Sequence, residues 1–246
     1  MALTKVTNSL LDLPVKSFGT SSLMIGDTTT GTIDAANYNV GLGVDVFNDL
    51  TSGDSNIAIG FQSGFDITTG SQNVLVGYEA GKLTTTGTFN TGIGHQAFGA
   101  GGGSATTGQY NTAVGYAALY STTSANSNTA VGQYALLYNT TASYNVAIGA
   151  NCLDAATTGA QNVAAGYASL GASTTGYYNV ALGHSAGASL TTGNDNVLIG
   201  YQAGQYQNSV TTGVANTVVG AYARTSSASV TYEVVIGRYG LGQGTN

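Results

Sequence analysis

Along this chain a short apolar phrase, opened by a polar residue and closed by glycine, returns thirteen times, eleven of them opening on Asn, with the consensus Asn, then Val or Thr, then Ala, then Val, Ile or Leu, then Gly. The copies begin at Ser22, Asn39, Asn56, Asn73, Asn90, Asn111, Asn128, Asn145, Asn162, Asn179, Asn196, Asn216 and Glu233. Ten of the twelve intervals are seventeen residues and the other two are twenty-one and twenty. Inside each phrase the second and fourth positions share one face and the third takes the other, the alternation of an extended segment, and no helical period competes with it. A fixed period of this size predicts one small unit stacked on itself, an all-β parallel β-roll or solenoid with coils of seventeen residues. Residues 22–246 form this repeat region, and residues 1–21 precede it.

Each coil is expected to hold two short strands that meet at the glycine. That glycine is invariant (Gly60, Gly77, Gly115, Gly149, Gly166, Gly183 and Gly200 among them), as a corner requiring positive φ or no Cβ would be. Thr-Thr-Gly, as at Thr157-Thr158-Gly159, reads as the turn back to the next coil, and the two long intervals are insertions there, at Ala100–Gly103 and around Gln207-Asn208-Ser209. Stacking at about 4.8 Å per coil gives a rod on the order of 60 Å in which like sits on like. The asparagines (Asn56, Asn73, Asn111, Asn145, Asn162, Asn179, Asn196) then form an amide ladder, and Tyr78, Tyr116, Tyr167 and Tyr201 at the sixth position form a partly exposed aromatic column. With Val and Ile taken as the filling of the coil, the Ala/Gly face lacks a cover, which identical chains around a symmetry axis would supply.

Composition narrows the function classes. Only 7% of residues are charged, with five Lys and Arg and no basic stripe, so nucleic-acid binding is not expected. The longest apolar runs are strand-length, which predicts no membrane insertion, and Met1–Leu13 lacks the pattern of a secretory signal. No catalytic constellation emerges, and neither a cofactor nor a metal is expected. His95 and His184 replace Tyr in the sixth column, and Cys152 fills a small eighth-position slot as a half-buried thiol. Asp45, Asp49 and Asp54 invite a calcium reading but lack the Gly-Gly-x-Gly-x-Asp pattern of calcium rolls. Repeated threonines invite an ice-binding reading, against which stands their adjacent rather than alternating placement.

Asn145-Val-Ala-Ile-Gly149 and Asn56-Ile-Ala-Ile-Gly60 resemble the repeat of trimeric autotransporter adhesin heads. The resemblance covers almost the whole chain and implies a left-handed parallel β-roll wound as a homotrimer. The longer phrase with Tyr-x-Ala-Leu, as in Asn111–Leu119, together with the Thr-Thr-Gly of other coils, is similar to fibre proteins of tailed bacteriophages, including marine phages. Met1–Leu11 resembles the leading segment of phage tail fibres and tailspikes. The expectation is a non-enzymatic virion fibre on tail or capsid, held to another virion protein through residues 1–21, with the tyrosine column as candidate contact for a host surface glycan. The alternatives are a bacterial surface adhesin head, which would bring a secretion signal and a membrane β-barrel that this sequence is not expected to carry, and an ice-binding solenoid.

Overall fold

A computed structural model describes residues 15–18, 21–26, 35–205 and 210–244. It is an all-β parallel solenoid. Strand β1 (Val15–Phe18) pairs antiparallel with β2 (Ser22–Ile25), and twelve three-residue strands follow, from β3 (Val40–Leu42) to β14 (Val234–Ile236). The fourteen strands form one sheet in sequence order, parallel from β2 onward. Register is strict: Val163, Ala164 and Ala165 sit beside Val180, Ala181 and Leu182, so each position of the repeat becomes a column. The thirteen copies of the phrase are the thirteen strands β2 to β14, with twelve turns between them. The insertion expected around Gln207-Asn208-Ser209 lies outside the described residues.

Two expectations are corrected. Among the described residues each coil carries one strand, not two. After the corner glycine the chain enters tight turns in which the seventh and ninth positions take left-handed backbone, for example Ala117 and Leu119 (φ 51° each) or Tyr134 (59°) and Leu136 (53°). Backbone hydrogen bonds to neighbouring coils continue through these turns. Tyr134 N–H donates to the Tyr116 carbonyl at 2.9 Å, one coil back, and Leu136 N–H to the Cys152 carbonyl at 3.0 Å, one coil forward. Donation alternates between the coil behind and the coil ahead, as it does along the strand (Val163 N–H to the Asn179 carbonyl, Gly166 N–H to the Ile148 carbonyl), which keeps amides paired through the turns without an extended strand.

The second correction concerns the faces. Val and Ile do not fill the coil; the third position does. Ala58, Ala113, Ala130, Ala147, Ala164 and Ala181 are fully buried, together with Leu75 and Leu198 in the same column. The third, ninth and twelfth positions share the lumen, and in most coils one of them carries the bulk; the coil of Asn39, with Gly41 at the third, buries both Phe47 and Leu50. Where the ninth is leucine (Leu119, Leu136, Leu153, Leu170) the twelfth is small or polar (Thr122, Asn139, Ala156, Ser173). Where the ninth is glycine, the bulk moves to Ile67 or Leu190 at the twelfth, or to Leu75 or Leu198 at the third. Close packing at fixed volume explains this exchange, since a void or an extra methylene in so thin a core has nowhere to relax.

Candidate functional site: amide ladder, apolar sheet face and aromatic runs

The asparagine column is buried throughout and links every pair of adjacent coils. Asn162 shows the pattern. Its backbone N–H donates to Asn145 Oδ1 at 2.9 Å, its Nδ2 donates to Asn145 Oδ1 at 3.2 Å and to the Gly176 carbonyl at 2.8 Å, and its Oδ1 accepts from the N–H and Nδ2 of Asn179 at 2.9 and 3.1 Å. Asn56, Asn73, Asn111, Asn179 and Asn196 repeat the same donor set to the preceding coil and to a carbonyl of the turn. Asn145 makes the backbone and turn contacts, to Asn128 Oδ1 at 2.9 Å and the Gly159 carbonyl at 2.9 Å. Donation to the Oδ1 atoms runs from the later coil to the earlier, so the first rung needs only an acceptor and the last has no later coil to serve. Ser22 Oγ accepts from Asn39 N–H at 3.0 Å at the first rung. At the last, Glu233 N–H donates to Asn216 Oδ1 at 3.0 Å while its carboxylate turns to accept from Ser226 N–H (2.8 Å) and Gly244 N–H (2.7 Å). The two departures from Asn are therefore the two ends of one network.

The corner glycines have φ between 118° and 142°, a region closed to side-chain-bearing residues. A Cβ on Gly149 would stand 2.6 Å from the Gly166 carbonyl oxygen and 2.7 Å from its carbon, and Gly115 meets Gly132 in the same way. Gly60, Gly77, Gly166, Gly183 and Gly200 likewise have no room for a Cβ beside the next corner.

The second and fourth positions of thirteen strands form the outer face of the sheet. None of these twenty-six residues is charged, and the only polar ones are Thr91, Thr112, Thr129 and Thr217. None is buried; Leu42 and Ile148 are 47% exposed. At about 4.8 Å per strand and three residues per strand the face covers about 60 by 12 Å, roughly 700 Å². Monomeric soluble proteins rarely show an apolar patch beyond a few hundred Å². The chain matches no family model, no curated protein and no solved structure. The reading of the face therefore rests on its chemistry.

Flanking the face after the corner glycine run two stacks of rings. Phe61, Tyr78, His95, Tyr116 and Tyr134 succeed one another at centroid distances of 5.3, 4.7, 5.2 and 5.2 Å. Tyr167, His184, Tyr201, Tyr222 and Tyr239 follow at 5.0, 5.2, 5.1 and 5.1 Å. Of the candidate contact residues, Tyr78 and Tyr116 fall in the first run and Tyr167 and Tyr201 in the second, with Ala150 at the break. Reading one column missed the ring that steps sideways: Tyr134, Tyr222 and Tyr239 occupy the seventh position, next to the sixth in sequence. A third line of exposed rings (Tyr38, Tyr110, Tyr144, Tyr178, Tyr232) immediately precedes the first position of the repeat, each in left-handed backbone.

The titratable side chains have structural settings. Cys152 is fully buried, more than the half-buried slot expected, and its Sγ–H donates to the Ala164 carbonyl at 3.3 Å. Ser63 and Ser169 make the same bond from the same slot, to Leu75 and Ala181. Burial pushes the Cys152 thiol up to about 12, so it is a closed thiol and not a nucleophile. His95 and His184 lie within the ring stacks, the latter with Nδ1 3.0 Å from Ser185 Oγ. Lys82 Nζ bonds Glu79 Oε1 at 2.7 Å; burial pushes the Glu79 carboxyl up, but the hydrogen bonds from Lys82 and Gln96 outweigh it and hold the group below its ordinary value. Asp45, Asp49 and Asp54 are not brought together, their carboxylates accepting from Gln62 Nε2, Asn48 Nδ2 and Asn37 N–H. Among the described residues no group of three His, Cys, Asp or Glu is placed to hold a metal, and no helix is long and apolar enough to cross a membrane. The first threonine of each turn spends its hydroxyl on the next coil, as Thr157 Oγ1 does on the Thr174 carbonyl (3.2 Å), leaving one exposed row (Thr69, Thr86, Thr141, Thr158, Thr192).

Proposed function

We propose that the chain is one protomer of a homotrimeric fibre of a bacteriophage particle, attached at tail or capsid, whose work is to hold a contact surface out toward the host. The observation that carries this reading is the charge-free apolar face of the sheet. Three parallel copies in register can turn that face to a common axis, where Val and Ile columns pack as dry seams between identical partners. Its roughly 700 Å² approaches the ~800 Å² per partner of a stable interface. The partner surface is thus the Val/Ile face, in place of the Ala/Gly face expected from sequence. The number three and the virion setting come from the resemblance to adhesin heads and phage fibres. No charge needs burying on assembly, and no catalytic role is assigned.

Residues 1–21 are the proposed attachment to another virion protein. Most of them lie outside the described residues, and Val15–Phe18 lies against β2, which would couple that attachment to the first coil. The test is immunogold microscopy with antibody raised against the recombinant chain, applied to phage particles and to the envelope of the bacterial host. Label on particles at a constant position supports the fibre. Label confined to the bacterial envelope overturns it in favour of an adhesin head.

A further inference from the structure

Where the first aromatic run turns edge-on, the stack opens into a groove. Tyr116 and Tyr134 meet at 77° with centroids 5.2 Å apart, and beside them Gln96, Ala117, Tyr120, Leu137 and Tyr138 complete a depression of about 450 Å³, within the usual ~300–1,000 Å³ of a small-ligand site. Four tyrosines from two successive coils converge here. Tyr116 and Tyr138 are 42% and 56% exposed, so ring faces are available.

The insertion of the twenty-one-residue coil supports this place. Gly101 N–H donates to the Tyr120 carbonyl at 3.1 Å, and a Cβ at Gly101 would overlap the Tyr120 ring, so the extra loop lies directly against one wall of the groove. Gln96 Nε2 donates to Glu79 Oε2 at 2.8 Å, which fixes its amide and leaves its Oε1 as an acceptor. The lining holds no carboxylate, ammonium or guanidinium.

We infer that this groove binds a neutral saccharide, with a pyranose ring lying on a tyrosine face and its hydroxyls bonded by the phenols and by Gln96. Pyranose C–H groups fit the negative face of an aromatic ring, while tyrosine adds a polar tip that exchanges hydrogen bonds with a sugar. An uncharged lining disfavours acidic sugars and phosphate, which would need a cationic partner. A proline-rich peptide also docks on tyrosine grooves and is the competing occupant. The groove is built within one chain, by residues that follow the corner glycines Gly94, Gly115 and Gly132, and so does not require the sheet-face trimer.

The test is saturation-transfer NMR on the full chain with lactose, maltotriose and triacetylchitotriose, and a proline decapeptide as control. At least one saccharide should bind with a Kd on the order of 1 mM. Tyr134→Ala and Tyr138→Ala should each weaken it at least about tenfold, the loss of a ring-stacking contact, while Tyr201→Ala in the other run leaves it unchanged. Tyr138 is the more exposed ring, so its variant keeps the test available if Tyr134→Ala unfolds. No saccharide binding at millimolar concentration, binding equal in all variants, or binding of the peptide alone overturns the inference. Light scattering on the same samples reports assembly independently: a saccharide-binding monomer sinks the trimer and leaves the groove.

Discussion

Gly149→Ala and Gly159→Ala are the same chemical change ten residues apart, and they are expected to differ sharply. At Gly149 φ is 135°, and the new methyl would sit 2.6 Å from the Gly166 carbonyl oxygen. That oxygen belongs to backbone, and the coil spacing is held on both sides by Val146–Ile148 and Val163–Ala165 pairing, so neither partner can retreat without loss of ladder bonds. Strained backbone costs about 1–3 kcal/mol and overpacking about 1–3 more, together roughly 3–5 kcal/mol. A Cβ on Gly159 would likewise meet backbone, the Gly176 carbonyl oxygen, but Gly159 has no positive φ and its column carries buried Ala125 and Ala142 in other coils, so the turn can take a methyl by a small shift without backbone strain. Its cost is overpacking alone, at the lower end of that range, about 1 kcal/mol. Thermal unfolding followed by circular dichroism should place Gly149→Ala roughly 10 °C below wild type and Gly159→Ala within about 3 °C, at about 2–4 °C per kcal/mol for a chain of this size. Equal melting of the two variants would refute the corner argument.

Asn162→Ala leaves the Gly176 carbonyl, Asn145 Oδ1 and the Asn179 N–H short of partners in a buried column, at a cost of about 2–4 kcal/mol; amide exchange at Asn179 should accelerate more than at distant Asn73, and equal protection at both would count against the ladder. Cys152 should resist a thiol reagent at pH 8 in the folded protein and react at once in denaturant, whereas rapid labelling of the native chain would contradict its burial. Burial raises the Asp154 carboxyl above 3.8, so the folded state holds that proton more tightly than the unfolded one, and this group favours folding increasingly as pH falls from neutral through its raised value toward 3.8. Asp154→Asn should therefore melt above wild type at pH 7, by a margin that closes near pH 4; a margin independent of pH would remove burial of the charge as its cause.

Much of the architecture was legible because the repeat imposes it. The Asn and Gly columns announced both the seventeen-residue turn and the buried amide ladder, and even Ser22 and Glu233, the exceptions, mark the ladder's ends. Inside and outside were misread for a physical reason. Hydrophobicity alone sends Val and Ile inward, but the lumen of so small a coil accepts mainly alanine, with bulk supplied by the ninth and twelfth positions. The second strand failed on backbone grounds, and a signal for it existed: Gly64, Gly81, Gly187 and Gly204 share the ninth column with Leu119 and Leu136, and glycine recurring there marks left-handed backbone. The left-handed position before each asparagine carried no such mark, since Tyr, Ser, Gln, Phe, Asp and Ala occupy it and never Gly. The tyrosine groove was half visible, as a column, while its sideways step at Tyr134 required the turn geometry.

The most direct measurement of the central claim is the solution mass of the chain by light scattering, wild type beside the double variant Val131→Glu, Ile148→Glu on the sheet face. The proposed trimer through that face predicts about 74 kDa, three times the 24.6 kDa chain, down to low micromolar concentration. The two added charges on exposed Val131 and Ile148 should then drive the mass down to a single chain that retains its β signature, because the coil core does not contain them. A wild-type mass of 24.6 kDa, or a trimer indifferent to both charges, would contradict assembly through the Val/Ile face.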